Sequence, residues 1–291
     1  MTDRTDYALH DAVLAWFGAE ARDLPWRRDT SPWSVMVSEF MLQQTPVSRV
    51  LPVFVAWMVR WPTPAALAAD PPGEAVRAWG RLGYPRRALR LHAAATAIVE
   101  RHDGAVPAER DALLALPGVG DYTASAVASF AFRGRHPVLD TNVRRVFARV
   151  VGGVAFPEPT VTAAERARAE SLMPDDDAHR WAAATMELGA LVCTARSPRC
   201  GVCPVADQCR WRANGYPEHD GPPRRGQAWA GTDRQVRGRL MAVLREADGP
   251  VTRQALDAAW DDPVQRDRCL DTLVFDGLVE PVGADRFSLP G

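Results

Sequence analysis

Four of the five cysteines in this 291-residue chain fall inside one short stretch, 193-CTARSPRCGVCPVADQC-209. Cys193, Cys200, Cys203 and Cys209 follow the spacing C-x6-C-x2-C-x5-C. Four thiolates so close can enclose a soft metal. Zinc sites usually show two C-x2-C knuckles, and only one pair here has that spacing. Iron–sulfur clusters also take four cysteines, in less regular spacings. Spacing alone leaves both metals open; four unliganded thiols is the poorest reading. The fifth cysteine, Cys269, reads as a small buried apolar residue.

Two carboxylates stand out next. Glu39 lies in 32-PWSVMVSEFMLQQTPVSRV-50, where helical spacing puts Met36, Glu39 and Gln43 on one face. A carboxylate on an apolar face is costly to bury ionised, so it favours keeping a proton, as a general acid must. A solvent-edge glutamate fits the position equally well. Asp140 lies in 136-HPVLDTNVRRVFARV-150 at the start of a predicted helix, where aspartate is a favoured N-cap. A carboxylate at the mouth of an active site is compatible with that duty. Arg144, Arg145 and Arg149 follow and read as a solvated face or as phosphate contacts. In 113-LLALPGVGDYTASAVASF-130 one helix ends near Pro117 and a second starts at Asp121 or Tyr122. Gly118 and Gly120 permit a close backbone approach, and the N–H groups opening the second helix can face a phosphate. A plain tight helix–helix turn would look the same.

The elements that must position these residues are almost all helical. Periodicity predicts helices near 6–20, 32–44, 46–60, 73–80, 85–102, 109–116, 121–132, 141–151, 161–172, 177–192 and 203–213. Residues 214–233 turn rich in Gly, Pro and charge and read as a linker. Beyond them, predicted helices at 234–246, 252–260 and 263–277 precede a hairpin in LVEPVGADRFSLP, in the order of a winged helix. DNA contact by that unit is an even choice on fold analogy alone.

Composition narrows the function. Hydrophobic content of 47% and charged content of 24% suit a globular protein, and no apolar run is long enough to span a bilayer. The N-terminal MTDRTDYALHDAV does not read as a signal peptide, so a cytoplasmic location is expected. Net charge is −1, so any nucleic acid must meet a local basic face. All 35 basic residues are arginine. Without lysine, no side chain can form a lysine Schiff base.

The cysteine spacing resembles the 4Fe-4S loop of the endonuclease III and MutY group, and LPGVGDYTA resembles that superfamily's helix-hairpin-helix. SEFMLQQT resembles the corresponding segment of MutY-type adenine DNA glycosylases. LPW, RLGYPRRA, VLDTNV and ELGALVC follow in the expected order, so the resemblance runs from about residue 7 to 213. It implies a mainly α, two-lobed glycosylase: an iron–sulfur lobe (1–25 and 133–213), a six-helix lobe with the hairpin (26–132), the linker 214–233 and the winged-helix-like unit 234–291.

The implied activity is removal of adenine mispaired with 8-oxoguanine or guanine in double-stranded DNA, by a monomer. Glu39 matches the glutamate that protonates the adenine at N7, and Asp140 the aspartate that stabilises the sugar cation, with Asn142 orienting groups beside it. Tyr122 stands where endonuclease III carries its lysine, which implies a monofunctional enzyme. Trp26, Arg27 and Leu42 match positions lining the adenine pocket, with Gln43 alongside. Gln44 and Tyr84 match residues that intrude beside the orphaned base, and Leu82 lies near them. Gly118, Val119 and Gly120 would grip phosphate, with a monovalent cation at the hairpin, and Arg196 and Arg199 would add contacts from the cysteine loop.

One departure is plain. Many MutY proteins carry a Nudix-like C-terminal domain that reads 8-oxoguanine, and the residues after Arg225 are too few for it. The rivals are a thymine or uracil mismatch glycosylase on the same scaffold and, from another class, an iron–sulfur DNA-binding regulator. The second leaves Glu39, LPGVGDY and LDTNV without a joint purpose.

Overall fold

The computed structural model describes residues 4–219, 221 and 229–291; residues 220 and 222–228 of the expected linker lie outside them. Helices dominate: α1 (Arg4–Glu20), α2 (Pro25–Arg28), α3 (Pro32–Leu42), α4 (Val47–Arg60), α5 (Pro64–Ala68), α6 (Pro72–Trp79), α7 (Arg86–Arg101), α8 (Arg110–Leu114), α9 (Asp121–Phe130), α10 (Thr141–Val150), α11 (Ala163–Ser171), α12 (Ala178–Leu191), α13 (Arg210–Ala213), α14 (Asp233–Glu246), α15 (Arg253–Asp257) and α16 (Pro263–Phe275). No helix among the described residues is long and apolar enough to cross a membrane.

Contacts divide the chain into two units, one of residues 1–35, 108–111 and 120–223, the other of 36–107, 112–119 and 224–291. The first is built on α1, α10 and α12. Val143, Val146, Phe147 and Val150 of α10 pack with Leu9 and Val13 of α1 and with Trp181 and Leu188 of α12. The second has a tryptophan core: Trp57 meets Trp61 and Trp79 edge to face at centroid distances of 4.6 and 5.7 Å.

The last residues of the second unit form the expected winged helix, with one strand more than the hairpin. β1 (Val251–Thr252), β2 (Glu280–Pro281) and β3 (Arg286–Ser288) make an antiparallel sheet in the order β1-β3-β2. Val236, Leu240 and Leu244 of α14 meet a buried set that includes Leu256, Leu270 and Leu273. This subdomain is stitched to the helices before it. Gly73 N–H donates to Pro290 O at 2.8 Å, and Arg77 Nη1 donates to Ala247 O at 2.7 Å.

Several elements differ from sequence expectation. The helix expected to 44 stops at Leu42, because Gln44 adopts a left-handed backbone and Pro46 cannot continue the ladder. The helix expected over 203–213 is instead one 3-10 turn, Ala206–Gln208, and the single turn of α13, with another 3-10 turn, Cys200–Val202, just before them. A regular helix would fan the cysteines around its axis. The short helices α2 and α5 escaped the periodicity reading, although each has proline in its first turn.

Candidate active site and iron–sulfur pocket

Asp140 caps α10. Its Oδ1 accepts from Asn142 N at 2.9 Å and Val143 N at 2.7 Å, while Asn142 Nδ2 donates to Oδ2 at 2.7 Å. Asn142 Oδ1 accepts in turn from Arg145 at 2.9 Å, and Arg145 donates to Gly189 O at 2.6 Å and Cys193 O at 2.7 Å. A side-chain chain therefore runs from the carboxylate to the first cysteine. Gly189 allows it: a Cβ there would stand 2.7 Å from Asn142 Cβ. Burial pushes the Asp140 carboxyl above the usual range, against the pull of these hydrogen bonds and of the Arg145 charge. Tyr122, in the first turn of α9, packs against the small cluster of Ala126, Val138 and Ala182.

The arginines after Asp140 are neither a solvated face nor phosphate contacts. All three are buried. Arg144 pairs with Glu165 at 2.6 Å. Arg149 donates to Ala155 O at 3.0 Å, Thr194 O at 2.7 Å and the Cys193 sulfur at 3.4 Å, and lies over the Trp211 ring. Arg27 is similarly committed. It and Arg22 grip Glu187 of α12, with Nη2 to Oε2 distances of 2.8 and 2.7 Å. Burial alone would raise Glu187, but hydrogen bonds from Arg22 and Arg27 outweigh it and hold the carboxyl at about 2. Trp26 is buried beside this triad in sequence.

In the other unit, Glu39 is only 5% exposed, in a stretch of α3 whose Met36, Val37, Phe40 and Met41 are all buried. Gln43 lies past the end of α3, so it does not extend that face. Gln44 and Tyr84 are both exposed and both left-handed, with φ of 53° and 47°. Sequence reasoning missed the residue that sits between them. Arg87 is buried, and its guanidinium donates to Phe40 O, Gln43 O, Thr45 Oγ1 and Gly83 O at 2.7 to 3.1 Å. It thus closes the carboxyl end of the helix bearing Glu39 and ties that end to the loop bearing Tyr84. Burial lowers Arg87 to about 10. Only its place in RLGYPRRA could have flagged it. Leu42 is half-buried, whereas Leu82 is buried and belongs to the interior.

In the hairpin, Leu116 O accepts from Val119 N at 3.2 Å, and Gly118 has φ of 75° with a would-be Cβ 2.6 Å from Arg90 Cβ. The Val119 side chain is buried, so its backbone is what the turn presents. Gly120 opens α9 without a side-chain cap.

The four clustered cysteines line one small pocket, with Arg149, Val146, Leu188 and Trp211 among its other walls. Burial pushes Cys203 up to about 11 and raises Cys193, where Arg149 pulls the other way. Burial thus favours the protonated thiol at Cys193 and Cys203, so a bound metal must displace those protons. No group of three or more His, Cys, Asp and Glu among the described residues is set to hold a single metal ion. Four thiols around an apolar-walled space instead suit an iron–sulfur cluster. Arg199 donates to Leu191 O, and Arg196 is exposed.

This helical frame and its cysteine loop define a base excision DNA repair protein. Residues 37–171 match the family model of the HhH-GPD superfamily base excision DNA repair proteins. Residues 193–209 match the iron-sulfur binding domain of endonuclease III. The chain is 56% identical over 282 residues to an adenine DNA glycosylase of Mycobacterium tuberculosis, spanning 96% of this chain and 92% of that one. It is 37% identical over 209 residues to a thymine/uracil-DNA glycosylase of Pyrobaculum aerophilum, spanning 69% and 90%. Among solved structures, a thermostable thymine-DNA glycosylase superposes with a TM-score of 0.66 at 26% identity, over 72% of this chain and 98% of that one. The chain belongs to the adenine DNA glycosylase family.

Proposed function

We propose that this chain is a monofunctional DNA glycosylase that removes adenine opposite 8-oxoguanine or guanine from double-stranded DNA. The observation that carries the reading is Glu39, a carboxyl almost sealed from water inside the SEFMLQQT segment. The adenine must leave the base stack to be reached. Glu39 gives its proton to N7 as the C1′–N9 bond breaks and the bonding electrons pass to the base. Asp140, ionised, stabilises the positive sugar that results, as in glycoside cleavage generally. Water then bonds to C1′ and its proton restores the acid. Asn142 and the first N–H groups of α10 hold the Asp140 carboxylate in position throughout.

Trp26, Leu42 and Gln43 are assigned to the adenine pocket, Gln44 and Tyr84 to the gap beside the orphaned base, and the Gly118–Gly120 turn to phosphate. Arg27 acts through Glu187, as a positioning residue. The cysteines would hold a 4Fe-4S cluster, which when bound fixes the loop that presents Arg196 and Arg199 to DNA. We assign the iron–sulfur work to 1–25 and 133–213, the base-handling and hairpin work to 26–132, and a separate DNA contact to 234–291, in a monomer.

The test uses labelled duplexes carrying A opposite 8-oxoguanine, A opposite G and T opposite G, with abasic sites revealed by alkali. Adenine release without thymine release is expected. Thymine release would favour the Pyrobaculum-like reading, and release of neither base would favour the regulator. Glu39→Gln should lose excision while still binding the 8-oxoguanine duplex; retained excision removes Glu39 from the acid role.

A further inference from the structure

Phe275 is an outlier among the apolar side chains of the described residues. It ends α16 with 91% of its surface in water. Scattered exposed aliphatics are ordinary, but an almost wholly exposed phenyl ring is not. The next residue, Asp276, pairs with Arg86 at 3.1 Å and also accepts from Arg237. Arg86 lies two positions after Tyr84, and Arg234 stacks on the Tyr84 and Trp229 rings, 5.3 Å from each centroid. Tyr84 and Trp229 are themselves 50% and 51% exposed. Two aromatic rings and three guanidiniums are thus joined by contacts that reach Asp276, the residue beside Phe275, and Asp276 is the one carboxylate among these contacts.

The rest of α16 argues against the ordinary way a winged helix reads DNA. Arg266 is paired with Asp257 at 2.8 Å and Arg268 with Asp233 at 2.7 Å. Asp261 and Asp262 are exposed at its start, which would repel phosphate, and Asp271 is exposed one turn before Phe275. Only the Phe275 end combines net positive charge with bare ring surface, the pairing that grips phosphates while stacking on bases.

We propose that the Phe275 end of α16, with Tyr84, Trp229, Arg86, Arg234 and Arg237, is a DNA-binding site in which Phe275 stacks on a base exposed where the duplex is distorted. The site rests on the reading of the chain as a DNA glycosylase and adds a contact from its C-terminal subdomain.

The test is duplex binding by the full chain, followed by fluorescence anisotropy across a salt series, with undamaged and A:8-oxoguanine duplexes. Phe275→Ala should weaken binding by about 5-fold to 100-fold, the range for losing one stacked base. Phe275→Trp should restore it, and Phe275→Leu should not. Arg234→Gln should reduce the slope of log affinity against log salt by about 1. Because the ring is exposed, Phe275→Ala should melt like the parent, which separates binding loss from unfolding. Binding by the Ala or Leu variant within about 2-fold of the parent overturns the site. So does a change in sedimentation of the DNA-free protein, which would mean that Phe275 covers a second copy. Adenine release by the parent chain scores the glycosylase reading separately.

Discussion

Asp140 joins a capping duty in the fold to the chemical role proposed for it. As a cap it satisfies two N–H groups of α10; as an ion it pays a burial penalty that raises its pKa. Asparagine caps nearly as well as aspartate. Asp140→Asn should therefore lose adenine excision while keeping the cap, at the cost of the Asn142 Nδ2 hydrogen bond that Oδ2 accepts. The sign follows from linkage. The fold disfavours the ionised carboxyl, so the parent loses stability relative to Asp140→Asn as pH rises from the unfolded toward the folded pKa. Melting temperatures taken from acid to neutral pH should show the parent falling relative to the variant as pH rises. Asp140 itself was legible in VLDTNV, because capping is a local signal. The burial of Arg144, Arg145 and Arg149 was not, because Glu165 and the backbone of residues 189–195 bury and satisfy them from far along the chain. Arg87 was invisible for the same reason: each of its acceptors except Gly83 O lies more than 40 positions away.

At the scale of elements, α2 is a four-residue helix with little cohesion of its own, and the Glu187 triad fastens it to α12. The depressed pKa of Glu187 means that its stabilisation is full above the unfolded value of 4.5 and is lost as pH falls toward 2. Glu187→Gln should cost about 3 kcal/mol at neutral pH, measured by urea denaturation, and the gap should narrow in acid. A gap independent of pH would mean that packing, not charge, holds α2. The helices themselves were readable from spacing and proline placement. The cysteine loop was not, because thiols that turn toward a common centre override the periodicity of 203–213. The third strand of the wing escaped because two residues, Val251 and Thr252, carry no alternation to detect.

The whole molecule is an arginine-only protein, and that shapes its chemistry more than its fold. With no lysine, the abasic product should survive until alkali is added, and borohydride should trap no side-chain adduct with the mismatched duplex. A trapped peptide mapping anywhere but the terminal amine would contradict a monofunctional enzyme. The winged subdomain was visible in outline from residue order, but its attachment was not. Gly73 touching Pro290, and Arg77 reaching the carbonyls after α14, join segments about 170 or more positions apart. The backbone at Gln44 and Tyr84 carries a different kind of information. A left-handed glutamine and tyrosine each cost on the order of 1 kcal/mol that glycine would not, and Arg87 braces the backbone just before each through Gln43 O and Gly83 O. Two selections acting on this gene would therefore pull opposite ways at these codons. Screening for heat tolerance alone would enrich glycine at both, while screening for a low mutation rate in the host would keep the side chains. Divergence between the two libraries would reveal which parts of the chain are kept for repair rather than for folding.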